Sequence, residues 1–187
     1  MDWKNEFNGL EEFSDRSYAR ANKIAHDKTL IVHENAEARD ALLNEYSPLV
    51  EEVYKHFAFK ISGNYLPVRV GDDQSPSIYE IGRVEDIDEF ERINVVPDVR
   101  LLIPWGVMVG VPVRAEISSQ KCERILELSH SSREGFYEYR RQDDEGGWIN
   151  SKGYFMPFKA FTQQKLAHAL AEIYRQAVQS YLKELKG

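Results

Sequence analysis

Cys122 and the histidines His26, His33, His56, His130 and His168 are the side chains from which nucleophilic or metal chemistry would have to start. Cys122 lies near the start of an expected helix, where the helix dipole favours a thiolate. His130 follows eight residues later. On one straight helix that separation is about 12 Å, at a rise of about 1.5 Å per residue, too far for a nucleophile and its base. Cys122 also falls on the apolar side of that helix, with Ile125 and Leu126, so a buried structural cysteine is expected. No two histidines stand at the i, i+4 spacing of a metalloprotease helix, and a lone thiol has no partner for a zinc knuckle.

The carboxylates are more numerous and less ordered. Glu85, Asp86, Asp88, Glu89 and Glu91 form the densest acidic run, without the alternating ligands and central glycine of a calcium loop. A solvated face is the ordinary reading of such a run. Its functional reading is a contact for a basic partner, with Asp88 and Glu89 as the contact residues. Asp98 and Glu116 sit in a spacing reminiscent of metal-dependent nucleases, but Ser118 stands where the lysine would be. No phosphate-binding glycine loop and no nucleophile-elbow serine is present. The sequence therefore offers no catalytic residue, no cofactor-binding motif and no metal-ligand set. An enzyme on this chain would need a site gathered from distant residues, and so a deep pocket with convergent titratable groups.

Charge narrows the partners. With 24 basic and 31 acidic residues the net charge is -7, which repels nucleic acid and anionic lipid. The nearest basic cluster, Arg140-Arg141, is followed at once by Asp143, Asp144 and Glu145. The longest uncharged run, Leu101 to Val113, is shorter than the roughly 20 residues that span a bilayer and is broken by prolines and glycines. A single cysteine cannot form an internal disulfide, which fits a reducing cytoplasm, and the polar first residues are unlike a secretion signal. A cytoplasmic protein is expected, bound to neither nucleic acid nor membrane.

The elements that would position any site read as follows. Apolar spacing predicts helices over about 10–27 and 36–46, with 29–33 open between strand and helix. Ser47-Pro48 reads as a fresh helix start, and Gly63-Asn64 as its stop. Strands follow at Tyr65–Val70 and Ile78–Val84. Val107, Val109, Val111, Val113, Ala115 and Ile117 alternate, which predicts a strand with that one face in the core. Val99–Ile103 should pair with it through a type I turn at Ile103-Pro104-Trp105-Gly106. A helix over about 120–129 leads to a second hairpin, Gly135–Arg141 with Trp148–Met156. Thr162 then caps a long helix whose stripe runs from Leu166 to Leu185. The aromatics Phe136, Tyr137, Tyr139, Trp148, Tyr154 and Phe155 lie on the second hairpin. Either they are core with scattered surface rings, or one face is an exposed apolar patch suited to a protein or peptide. The fold class is α+β: an antiparallel sheet flanked by helices, ordered helix, strands, helix, hairpin, long helix. An N-terminal helical extension over 1–45 would precede an α+β domain over 46–187.

That order resembles the YbjN-like family and the class I type III secretion chaperones. The matching stretches are Val99–Ile103 with Val107–Glu116, Gln120–His130, Gly135–Tyr139, Glu145–Ile149, Tyr154–Phe158 and Phe161–Leu185, with Pro48–Ile61 as the first helix. The resemblance covers the C-terminal two-thirds of the chain. It implies a non-enzymatic protein, often a homodimer, that holds an extended peptide or partner segment along its sheet and helices. Trp105, Met108, Tyr137, Tyr139 and Tyr154 are the expected contact residues for such a chaperone-like or regulatory module. The rival expectation is an acidic inhibitor or immunity-type protein that covers a basic toxin or nuclease through Asp88 and Glu89.

Overall fold

A computed structural model describes residues 2–14, 36–70, 78–87, 95–110, 134–142 and 148–185. Six strands form one antiparallel sheet: β1 Tyr65–Val70, β2 Ile78–Val84, β3 Asp98–Leu102, β4 Gly106–Gly110, β5 Gly135–Gln142 and β6 Trp148–Pro157. Their order across the sheet is β1-β2-β3-β4-β6-β5. Every neighbouring pair is antiparallel, and β5 folds back on β6 over eight consecutive pairs, Gly135 opposite Phe155 to Gln142 opposite Trp148. The α+β class and the two antiparallel strand pairs thus stand as the strand patterns predict.

Among the described residues three α-helices accompany the sheet: short α1 Glu11–Ser14, long α2 Ala36–Ser62 and C-terminal α3 Gln163–Glu184. The expected helix over 10–27 is described only as α1, and the segments 29–33 and 120–129 lie outside the described residues. The Thr162 side chain caps α3, its Oγ1 accepting from the Lys165 amide at 3.2 Å. Leu166, Leu170, Ile173, Tyr174 and Val178 bury the predicted stripe, but Leu185 is exposed, because the stripe runs on past the core that covers it. α2 ends where expected. Gly63 takes a positive φ of 81°, which glycine adopts without a side-chain penalty, and its amide bonds back to the Phe59 carbonyl.

Two local expectations are corrected. Ser47-Pro48 does not restart a helix, since α2 runs through it unbroken. Proline removes the bond to the carbonyl four residues back, here Asn44, but Asn44 and Pro48 are both exposed and water can serve that carbonyl. The β3–β4 turn is also displaced by one residue. The Trp105 amide donates to the Leu102 carbonyl at 2.7 Å, so Pro104 occupies the third position, joined to Ile103 by a cis bond.

The core lies between the sheet and the helices. Val50, Val53, Tyr54 and Phe57 of α2 meet Val99, Leu101, Val107, Val109 and Met156 of the sheet and the buried stripe of α3. The Tyr54 hydroxyl donates to the Pro97 carbonyl at 3.1 Å, fixing α2 to the start of β3. Phe7, in the 3₁₀ turn Trp3–Phe7, packs on Phe57, which in turn meets Tyr174 edge-on. The N-terminal residues therefore share this core, and position 45/46 lies inside α2.

The alternation of β4 puts Val107 and Val109 in the core as expected, and the residue between them is buried as well. Val107 and Val109 are buried on the helix side, yet Met108 between them is only 6% exposed. It packs with Leu102 and Phe155 in a second apolar cluster on the opposite face, with half-buried Trp105 beside it. Asp98, 2% exposed, shares that face, and Arg100 Nη2 lies 3.5 Å from its Oδ2. β4 is a central strand, so neither face is left to solvent over Gly106–Val109. Residues 111–117 lie outside the described residues. No helix among the described residues is long and apolar enough to cross a membrane.

Candidate functional site

The sheet is open, so it has two edges, and they differ. β1 carries Pro67, which has no amide to donate, and its pairing with β2 shifts between Pro67 and Val70. Proline and a register irregularity both blunt an edge against a further strand. β5 has neither. Its eight pairs with β6 run without a shift, it contains no proline, and no strand pairs its other side among the described residues. Main-chain groups on that side form a template to which an extended segment can add.

The start of β5 is held by a polar chain. The Tyr154 hydroxyl donates to Glu134 Oε1 at 2.5 Å, and Lys165 Nζ donates to Glu134 Oε2 at 2.8 Å. Lys165 also donates to the Ala160 carbonyl at 3.1 Å. Glu134 thus ties β6 and the entry to β5 to the first turn of α3. Lys165, then the Tyr154 hydroxyl, hold the Glu134 carboxyl below the usual carboxylate range. Burial, reinforced by the Glu134 carboxylate, pushes the Tyr154 hydroxyl well above an ordinary tyrosine. Beside this chain Phe136 meets the Tyr154 ring edge-on at 4.6 Å while remaining 49% exposed. An exposed apolar ring on a strand whose outer side is unpaired among the described residues is an anchor that an added segment would cover.

The expected contact residues fall on several elements. By register, Tyr137 and Tyr139 stand opposite Gly153 and Ser151. Tyr154 stands opposite Val109 and Phe136. Trp105 sits in the β3–β4 turn, half-buried against the second cluster. Met108 is 6% exposed and lies on a central strand. Asp88 and Glu89 lie outside the described residues, as do Cys122 and His130. Phe136, Glu134 and Lys165 were not singled out as contacts by the sequence. Phe136 carried the signal of aromatic alternation with Tyr137, but Lys165 is 31 residues from Glu134 and nothing local links them.

The structure also contains a cleft of about 380 Å³ between the N-terminal residues and α2, lined by Lys4, Phe7, Glu11, His56, Phe59 and Lys60. Lys60 bridges to Glu11 across it at 3.0 Å, and His56 stacks edge-on to Trp3 at 5.4 Å. The Glu11 carboxyl is held below its ordinary range, first by its own backbone amide and then by Lys60. These contacts pin the N-terminal residues to α2. Among the described residues no three His, Cys, Asp or Glu side chains gather as metal ligands. The arrangement with the clearest capacity to hold a partner is therefore the β5 edge of an open α+β sheet. The chain matches no family model, no curated protein and no solved structure.

Proposed function

We propose that this chain is a non-enzymatic, chaperone-like protein- or peptide-binding module that takes an extended segment of its partner as a further strand beside β5. The observation that carries this reading is the contrast between the two edges. β1 is blunted, whereas β5 is long, regular and flanked by exposed Phe136. Main-chain bonds to β5 would supply affinity with little regard to sequence, and Phe136 would favour an apolar residue at the matching position. The resemblance to secretion chaperones implies an extended partner segment held along the sheet and helices, and an acidic protein is suited to segments of neutral or basic character.

Peptides selected from a displayed random library against the immobilised protein test this. Phe136→Ala should weaken the selected peptides about tenfold, the usual loss for a modest apolar anchor. Phe59→Ala, which removes another exposed ring on α2, should leave them unchanged. Peptides sensitive to Phe59 and indifferent to Phe136 would place binding at the N-terminal cleft and overturn the proposal.

A further inference from the structure

The cleft beside α2 has two regularly spaced walls. Lys4, Phe7 and Glu11 come from the N-terminal residues, and His56, Phe59 and Lys60 share one face of α2. Its volume of about 380 Å³ lies in the range of small-ligand sites. The Phe7 ring is buried in its wall, whereas the Phe59 ring is 46% exposed. Cations surround these rings. Lys4 Nζ lies 5.6 Å from the centroid of Trp3, and Lys55 Nζ lies 5.9 Å from that of Phe59. Neither ammonium pairs with a carboxylate among the described residues, although the chain has 31 acidic residues to 24 basic ones. Lys60 Nζ holds Glu11 at 3.0 Å. An ammonium has three N–H donors, so this contact leaves Lys60 able to serve a second acceptor.

We propose that this cleft binds a small aromatic anion, a flat apolar body of one or two rings that carries a carboxylate or sulfonate. The body lies against Phe59 and Phe7, and the acid group accepts from Lys4 and Lys60. A neutral ring would leave the ammonium groups unanswered, and an inorganic anion would leave the Phe59 ring uncovered. Only a molecule with both parts uses the whole cleft. Glu11 competes with such a ligand for Lys60 and repels its charge, so Glu11 restrains the affinity. No residue of β5 takes part, and this capacity is independent of strand addition.

Isothermal titration calorimetry with 2-naphthoate, and with 2-naphthamide as a probe of the same shape without the charge, tests this. One naphthoate should bind per chain, and the amide should bind about tenfold more weakly, roughly the loss of one charge-assisted hydrogen bond. Phe59→Ala should weaken naphthoate about fivefold by removing the exposed ring. Lys4→Gln and Lys60→Gln should each weaken it about threefold, as expected of partly solvated charges. Glu11→Gln should act in the opposite direction and tighten binding about threefold, a gain that a misfolded chain cannot imitate. The Lys60 and Glu11 side chains are 43% and 50% exposed, so the fold does not hang on either charge. Leu49→Ala, which trims an exposed side chain of α2 outside the cleft, should change nothing. Equal affinity for acid and amide, indifference to Phe59→Ala, or weaker binding by Glu11→Gln overturns the proposal. Absence of any heat of binding at millimolar naphthoate overturns it as well.

Discussion

Glu134 is the residue on which the entry to β5 turns. It accepts from Tyr154 and Lys165 at once, joining a strand to the first turn of a helix 31 residues on. Its carboxyl titrates below the ordinary 4.5 in the folded chain. A lowered folded-state value means stability that is present above the ordinary value and lost as pH falls through the lowered one. The site is partly solvated, with the Glu134 side chain 28% exposed, so its contribution is screened to a few tenths to about 1 kcal/mol. Glu134→Gln should therefore melt earlier than the parent near pH 7, by an amount in that range, and the gap should be smaller at acid pH, below the ordinary 4.5. An equal gap at both pH values, followed by circular dichroism, would show that the charge is not what matters. This contact was illegible beforehand because a surface acid and a helix-end lysine pair only once the fold brings them together. The Thr162 cap was legible because its hydroxyl and the Lys165 amide are three residues apart.

Among the elements, the strands were read more truly than their faces. Strand-forming runs placed β1, β2 and both strand pairs, since such runs and the residues that end them are local. They did not reveal that β4 is buried on both sides, which depends on what packs over Met108, nor that Pro48 rides on the solvent side of an unbroken helix. Gly106 gives a direct probe of how closely β4 and β6 meet. A Cβ there would lie 2.2 Å from the Met156 carbonyl oxygen and 2.8 Å from the Pro157 Cα, both main-chain atoms that cannot rotate away. Gly106→Ala should destabilise the protein by about 3 kcal/mol, at the upper end of overpacking costs. Urea unfolding with an unchanged midpoint would mean that the two strands are further apart than described.

At the scale of the whole molecule, the sequence suggested an extension over 1–45 beside a domain over 46–187, but Phe7 and Leu10 are 1% and 0% exposed within the common core. No periodicity could have shown that, because five residues of 3₁₀ turn carry too few apolar positions to declare where they dock. Glu6 adds polar ties to α3, accepting from Gln164 at 2.8 Å and from Arg175 through its carbonyl at 3.2 Å. Phe7→Ala should cost about 3–4 kcal/mol, the price of emptying a buried aromatic site, in a single cooperative transition. A loss below about 1 kcal/mol would mark the N-terminal residues as a loosely attached appendage. The central claim, that the unblunted edge of this sheet accepts a strand, is tested most directly by amide hydrogen exchange of residues 135–142. The measurement is made with and without a selected peptide. Alternate β5 amides, those not already bonded to β6, should slow at least tenfold when the peptide is bound. Unchanged exchange along β5, with protection appearing at β1 or in the N-terminal cleft instead, would contradict the account.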